Sequence, residues 1–239
     1  MEEVKIKAGR TLIEILRDLN LNISTNPRGT DKGDCKTYVK GFYEGEFGAR
    51  RAARNRLFEI GVRSGASLAL WANYFQDAEI IGADIEPVGA PAGPLKEYVD
   101  YPSVKFFCKD AYSAEFADAL TGKFSILIDD GPHSLASQKR FLELYLSKLD
   151  EDGVLIIEDV PRAYRSSFQF MMMLPDGFVF ETYDFRAVSG TGDDFLFVVR
   201  HDARGEGAAA RKAYVTTRCL LSYLAAPFRR LAALFHGRK

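Results

Sequence analysis

Five apolar runs of strand length alternate with segments of helical pattern through the middle of the chain. The apolar runs are 56–61, 78–85, 104–110, 124–130 and 153–160. The helical segments between them are 66–76, 92–100, 113–120 and 134–149. Continuous apolar runs are typical of parallel strands that are buried on both faces, and their alternation with helices predicts an α/β sheet. Two more runs, 178–185 and 194–200, are joined by the Gly-rich segment AVSGTGD and predict a closing antiparallel hairpin.

Two further segments flank this alternating region. Before it, Leu12, Ile15, Leu16 and Leu19 have helical spacing, which predicts a short helix over 11–19, and a polar, turn-forming loop follows over 22–34. After it, the charge changes, because eight Lys and Arg residues stand against two acidic ones from His201 onward. We therefore predict an N-terminal helical segment (1–50), a central domain (51–202) and a basic tail (203–239).

Composition narrows the class of protein. A chain of 239 residues with 47% hydrophobic and 27% charged residues is typical of one globular domain with appendages. Its three cysteines lack disulfide or metal-ligand spacing, and MEEVKIKAGR has no apolar signal core, so we expect a cytoplasmic protein. No run approaches the roughly 18 consecutive apolar residues of a membrane-spanning helix. The net charge of −1 argues against a nucleic-acid partner, which requires a basic face.

The residues that end the first three strands predict a nucleoside site. In an open α/β sheet, ligands bind beyond the carboxyl ends of the strands. The first strand ends in an E-x-G-x-x-x-G turn over 59–65, which by itself is also compatible with a plain strand-to-helix turn. Asp84 ends the second strand, where an acid can accept hydrogen bonds from ribose hydroxyls, and Asp110 ends the third. Together they favour an adenosine-containing ligand, and the glycine spacing favours S-adenosylmethionine over a dinucleotide.

The next two strand ends carry an acidic cluster. Asp129, Asp130 and His133 end one run and Glu158 and Asp159 end the next, with one helix between them. Such a crossover leaves both carboxyl ends at the same edge of the sheet, where neighbouring strands lie about 4.8 Å apart. Converging carboxylates repel each other, and a hard divalent cation relieves that repulsion. Each acid by itself could instead cap the following helix, and His133 could be an ordinary loop histidine.

Four segments together resemble the metal-dependent sugar O-methyltransferases, whose familiar members modify the deoxysugars of macrolides. These segments are GTDKG (29–33), FEIGVRSGASL (58–68), ILIDDGPHS (126–134) and LIIEDV (155–160), and the similarity spans about residues 28–200. The resemblance implies a Rossmann-like class I methyltransferase fold, S-adenosylmethionine as methyl donor and a divalent metal, magnesium by preference. The expected function is methyl transfer to a sugar hydroxyl of a glycan, glycolipid or glycosylated natural product, with polysaccharide biosynthesis as one setting.

The resemblance also assigns roles to residues. Asp130, Glu158 and Asp159 match metal ligands, and His133 matches the general base, so His133 and Asp130 are the predicted catalytic residues. Thr30, Asp31 and Lys32 match a segment near the active-site entrance and are expected to order a lid. The predicted cofactor-binding residues are Glu59, Gly61, Arg63, Ser64, Gly65, Asp84, Ile85, Asp110, Ala111 and Asp129.

Several alternatives stay open. A catechol-like acceptor also chelates a metal, and a non-catalytic adenosyl-binding partner of a glycan-synthesis complex would use the same fold. An RNA substrate is disfavoured because the central domain is acidic and has no basic platform. The tail segment 213–239 combines apolar residues at helical spacing with arginines, which fits either peripheral contact with the inner membrane surface or packing on the domain or on a second subunit.

Overall fold

The computed structural model describes residues 9–86, 103–207, 209 and 214. Two sequence predictions, the helix at 92–100 and most of the basic tail, therefore lie outside the described residues. The described strands are β1 (Arg54–Ile60), β2 (Asp77–Asp84), β3 (Val104–Cys108), β4 (Phe124–Asp129), β5 (Leu149–Ile157), β6 (Phe178–Asp184) and β7 (Phe195–His201).

The described helices lie between these strands and ahead of them. They are α1 (Leu12–Asp18), α2 (Glu44–Gly48), α3 (Ala66–Tyr74), α4 (Ala114–Ala119), α5 (Leu135–Tyr145), α6 (Ala163–Met173) and α7 (Arg186–Ser189). A π-helical turn, Val39–Tyr43, runs directly into α2. The start of α1 follows from its sequence, because Thr11 and Glu14 form a reciprocal capping box that satisfies two free backbone N–H groups.

The seven strands form one sheet in the order β3-β2-β1-β4-β5-β7-β6. Strands β1 to β5 pair in parallel, and β7 pairs antiparallel with both β5 and β6. This confirms the predicted α/β fold with its closing hairpin. The strand order reverses between β1 and β4, and at such a point the loops diverge and leave a crevice. The predicted metal site depended on β4 and β5 being neighbours, and they are paired, with Asp129 beside Ile157.

Alternation along the strands decides which residues face each side of the sheet. Leu57, Ile128 and Ile156 belong to the core on the face covered by the N-terminal segment and α3. Leu127 and Leu155 belong to the core on the opposite face, which α4, α5 and α6 cover. Two residues beyond Ile128 and Ile156, the side chains of positions 130 and 158 therefore point toward the N-terminal segment.

The N-terminal segment shares the core of the first face. Tyr43 and Phe47 pack against Trp71 of α3 with ring centroids 5.1 and 5.3 Å apart, and all three side chains are buried. Aromatic pairs at such distances add to the free energy of area burial. This packing fixes the position of the loop over 29–36, which contributes to the site below. Across the part of the chain that the structure describes, no helix has the length and apolar character needed to span a membrane.

Candidate active site

A cavity of about 630 Å³ lies over the point where the strand order reverses. Its walls come from the ends of β1, β2, β3 and β4 and from the loop that contains Thr30 and Asp31. The volume is within the usual range for a small-molecule pocket, about 300–1,000 Å³. The position agrees with the sequence-based expectation that ligands bind beyond these strand ends.

Gly61 lets the first strand end pass close to the fourth. Its φ is +84°, and a Cβ at this position would overlap the backbone carbonyl of Asp130. Only glycine takes that backbone conformation without steric cost and leaves the space free. The glycine of the predicted turn therefore sets the distance between the two halves of the cavity.

Replacing Gly61 with alanine is expected to lower the free energy of unfolding by about 2–4 kcal/mol, since backbone strain and overpacking add. Urea unfolding measures this loss. The control is Gly177→Ala, which also has a positive φ (+92°) but has nothing within 4 Å of the new Cβ. A loss in Gly61→Ala no larger than in this control would contradict the close approach.

Two acids face the cavity from β2 and from the turn after β3. Asp84 accepts hydrogen bonds from the backbone N–H groups of Arg63 (2.8 Å) and Glu86 (3.1 Å), which fix its carboxylate at the rim. Ile85 beside it is 72% exposed and offers an apolar surface. Asp110 also lines the cavity, and its carboxylate accepts a hydrogen bond from the backbone N–H of Tyr112 at 2.9 Å. An acid beside an exposed apolar side chain suits a nucleoside, which has hydroxyls and a flat ring.

Most of the predicted cofactor-binding residues line the cavity. Those that do are Gly61, Arg63, Ser64, Asp84, Ile85, Asp110 and Ala111. Gly65 instead caps the start of α3 with φ +79°. Glu59 is fully buried behind the cavity, where one carboxylate oxygen accepts from Trp71 Nε1 at 2.9 Å. Its side chain faces α3 because of strand alternation, which the motif alone did not reveal.

Asp129 also lies behind the wall of the cavity. It is 1% exposed, and its Oδ1 accepts a hydrogen bond from the Tyr112 hydroxyl. Burial raises the pKa of Asp129 to about 6, although the hydrogen bonds from Tyr112 and Gly131 act to lower it. Asp129 therefore positions Tyr112, which lines the cavity, and does not itself line it.

Asp130, His133 and Asp159 come together beside the cavity, which Asp130 and His133 line. One ligand atom from each lies within 4.8 Å of the others. His133 Nε2 is 3.7 Å from Asp130 Oδ1 and 3.6 Å from Asp159 Oδ2. His133 and Asp159 both have left-handed backbone conformations, with φ of +53° and +51°. Such strain is costly in non-glycine residues and tends to cluster at functional sites.

Glu158, predicted from the sequence as a third metal ligand, lies behind this group. It is 1% exposed, and its Oε1 accepts a hydrogen bond from the Tyr43 hydroxyl. Both of its carboxylate oxygens are 2.8 Å from Lys32 Nζ. The consecutive residues Glu158 and Asp159 have different partners, because β5 ends at Ile157 and the left-handed backbone of Asp159 turns the chain.

Lys32 occupies the centre of the acidic cluster. Its side chain is fully buried, and Nζ is 2.6 Å from Asp130 Oδ2 and 3.4 Å from Glu59 Oε1, in addition to its contact with Glu158. The GTDKG motif had suggested a place for Lys32 near the entrance, as part of a lid. The structure places it inside the site, and the three acids on one face of the sheet are the signal that could have indicated a buried cation.

Two more residues that sequence reasoning missed hold Asp159. The Tyr38 hydroxyl donates to Asp159 Oδ1 at 2.5 Å, and Lys36 Nζ is 3.0 Å from the same oxygen. Lys36 also pairs with Asp193 at 2.7 Å. Burial lowers the pKa of Lys36, but its contacts with Asp193 and Asp159 outweigh burial and raise it overall. Asp159 Oδ2 is left facing His133.

The electrostatics of the cluster favour an additional positive charge. Burial raises the pKa of Asp130 well above its usual value, with Lys32 opposing and Glu158 reinforcing the shift. Burial likewise raises the pKa of Glu158 to about 7 against the opposing effect of Lys32. A raised pKa means that the ionised form of the carboxylate is destabilised, and a bound cation would stabilise that form.

The pKa of His133 is shifted in the opposite direction to those of the carboxylates. Burial lowers its pKa, although the charge of Asp159 acts to raise it, and Lys32 and Lys36 add to the lowering. Its imidazole is therefore neutral at pH 7 and able to accept a proton. The two carboxylates and this imidazole fit a hard divalent ion, since magnesium is commonly held by one or two carboxylates together with water and substrate oxygens. Asp130 and Asp159 are the residues that could hold it.

The chain is similar in sequence and in fold to known methyltransferases. Residues 58–160 match the model of a family described as a methyltransferase domain. The structure aligns with the MycE methyltransferase of the mycinamycin pathway, solved in complex with Mg, S-adenosylhomocysteine and mycinamycin VI, at a TM-score of 0.59 and 20% identity over 82% of this chain and 56% of that one. The chain therefore has the class I methyltransferase fold, and its central residues are similar to a methyltransferase domain.

Two curated relatives are O-methyltransferases by name. One is the 8-demethyl-8-alpha-L-rhamnosyl tetracenomycin-C 2'-O-methyltransferase of Streptomyces olivaceus, 29% identical over 66% of this chain and 46% of that protein. The other is the mycinamicin VI 2''-O-methyltransferase of Micromonospora griseorubida, 30% identical over 53% of this chain and 32% of that protein. The chain is similar to these O-methyltransferases, and the match spans less than half the length of either relative.

Proposed function

We propose that this protein is an S-adenosylmethionine-dependent O-methyltransferase that methylates a hydroxyl of a sugar with the help of a divalent cation, magnesium by preference. One observation carries the proposal. A single cavity runs from Asp84 and Asp110, which suit an adenosyl group, to Asp130 and His133, which suit a cation and a proton transfer. Both relatives named above are O-methyltransferases, and the name of the first gives a rhamnosyl compound as its substrate, which supports a sugar as acceptor.

The donor would lie along the first half of the cavity. Asp84 is placed to accept hydrogen bonds from ribose hydroxyls, and Asp110 lies where it can accept from the adenine amino group. Gly61 leaves room for the donor to pass close to the backbone between β1 and β4. These contacts would direct the sulfonium methyl group toward Asp130 and His133.

The acceptor would meet this methyl group beside His133. A cation held by Asp130 and Asp159 would act as a Lewis acid. It would lower the pKa of an acceptor hydroxyl, which when free is close to that of water, roughly 15.7. The hydroxyl gives its proton to Nε2 of His133 while its oxygen attacks the methyl carbon. The C–O bond forms as the C–S bond breaks, and S-adenosylhomocysteine is released. Much of the rate would come from holding oxygen, carbon and sulfur in line.

The proposal is tested by methyl transfer from radiolabelled S-adenosylmethionine to a panel of acceptors in the presence of Mg²⁺. We expect transfer to a rhamnosyl or related deoxysugar glycoside with vicinal hydroxyls, and NMR locates the new methoxy group. Catechol and a polysaccharide are the comparison acceptors. Transfer to catechol alone would overturn the sugar assignment, and failure to bind S-adenosylhomocysteine by calorimetry would overturn the whole proposal.

A further inference from the structure

An apolar groove of about 300 Å³ lies on the face of the sheet that α5 and α6 cover. It is formed by the end of α5 with the turn that follows, by the end of α6 and by the start of β6. The apolar residues that line it are Leu142, Leu146, Met173, Pro175 and Phe178. Among the described residues, none that lines the active-site cavity also lines this groove, so the proposed function does not account for it.

The chain returns to the side of this groove after it leaves β7. Gly207 lies so close to β6 that a Cβ on it would be 2.7 Å from the carbonyl oxygen of Phe178. Tyr214 packs edge-on against Phe180, with ring centroids 5.1 Å apart. Phe178 and Phe180 are two residues apart on β6 and belong to the core of the same face. The residues that follow Tyr214 therefore start next to the groove.

The sequence that follows Tyr214 is chemically complementary to the groove. Residues 215–239 lie outside the described residues, and they contain five basic residues and no acidic one. Glu143 is the charged residue that lines the groove. Large apolar residues recur in the segment at helical spacing, which gives it one apolar side. These residues are Leu220, Leu221, Leu224, Phe228, Leu231 and Phe235.

We propose that the groove binds the apolar residues of segment 215–239 of the same chain. The inference is independent of the proposed function, since it concerns neither the donor nor the metal site. Because Tyr214 is held beside the groove, the segment reaches it at an effective concentration of about millimolar, as short tethers give. A second copy of the chain or a membrane surface has no such tether. The apolar side of the segment is thus used within the molecule and does not anchor it to a membrane.

The spacing along the chain fits this occupant. Leu220 is six residues beyond Tyr214, which spans about 9 Å even in helical conformation. Phe178, in the wall of the groove, is about 7 Å from Phe180 along β6, where Tyr214 packs. The first leucines of the segment can therefore reach the groove without any rearrangement of Tyr214.

The first test is photo-cross-linking in the full chain, with benzoylphenylalanine in place of Leu224. We expect cross-links within one molecule to peptides that contain 142–147 or 173–178, identified by mass spectrometry. Benzoylphenylalanine in place of Ser222 is the matched control. Its yield should be at least about fivefold lower, because helical spacing puts position 222 on the side away from the leucines. Cross-links to the groove of a second molecule, or none to the groove, would overturn the inference.

The second test measures hydrogen exchange of the backbone amides of 173–178. Truncation after Tyr214 should speed this exchange at least about tenfold, because loss of a covering segment lowers the cost of local opening. Leu224→Asp in the full chain should act in the same direction, and Ser222→Asp, which adds the same charge, should not. Thermal unfolding checks that each variant is folded, and if the truncated chain does not fold, the two Asp variants decide. Equal exchange in Leu224→Asp and Ser222→Asp would contradict the inference.

Flotation with phosphatidylglycerol vesicles tests the membrane alternative. The native chain should float no more than the chain truncated after Tyr214, because the apolar residues that would enter the lipid are bound in the groove. Flotation of the native chain that is lost on truncation would show that the segment binds a membrane instead, and would overturn the inference.

Discussion

Replacing His133 with alanine is expected to lower kcat by about 10²–10⁴-fold, the usual contribution of a positioned general base. His133 lines the cavity, and its Nε2 is close to both Asp130 and Asp159. Steady-state kinetics with a sugar acceptor measures the loss. The matched control is His201→Gln, a second histidine at the end of β7. A fall in kcat of less than about threefold would remove His133 as the base.

The pH dependence of the native enzyme checks the same assignment. Burial lowers the pKa of His133 below its ordinary value of 6.5, so the neutral form persists to lower pH than for an exposed histidine. We expect kcat/KM to fall only as the pH drops below 6.5, and this acidic limb should be lost in His133→Ala. Mn²⁺ binding by His133→Ala distinguishes a general base from a metal ligand. If this variant binds Mn²⁺ as weakly as Asp159→Asn does, His133 is a metal ligand and not the base.

Removing the divalent ion with EDTA is expected to lower turnover at least about hundredfold, because the acceptor hydroxyl would lose its Lewis acid. Binding of S-adenosylhomocysteine should change by no more than about threefold, since the residues proposed to hold it do not include the metal-binding pair. Calorimetry measures the binding, and a methyl-transfer assay measures the turnover. Adding back Mg²⁺ should restore activity, which controls for denaturation by the chelator. Full activity in EDTA would contradict the metal role.

The strand pattern of the sequence was enough to predict the positions of the acids at the cavity rim. Asp84 and Asp110 follow strand-length apolar runs, and parallel strands deliver their carboxyl ends to the same edge of the sheet. Both residues line the cavity as expected. Gly61 was predictable for the same reason, because a glycine directly after a strand allows the tight turn.

The sequence pattern did not show which side of the sheet each acid would face. Glu59, Asp129 and Glu158 are all buried behind the cavity wall. Strand alternation sends Glu59 and Glu158 to one face and Asp129 to the other, but the motifs present all three as neighbours of the ligand. Applying the period of two to the predicted strands would have separated Asp129 from Asp130. It could not have separated Glu158 from Asp159, because Asp159 lies beyond the end of β5 and has a positive φ.

The sequence by itself determined the α/β sheet, its closing hairpin and the acidic strand ends, because apolar periodicity and strand connection are local or topological properties. Only the tertiary structure decided the partners of those acids. Lys32 lies 98 residues from Asp130 and 126 from Glu158 along the chain, and Tyr38 lies 121 from Asp159. Such contacts form only when the N-terminal segment packs on α3 and covers one face of the sheet. Burial then makes a cation necessary, and it is this packing that places Lys32 among the acids.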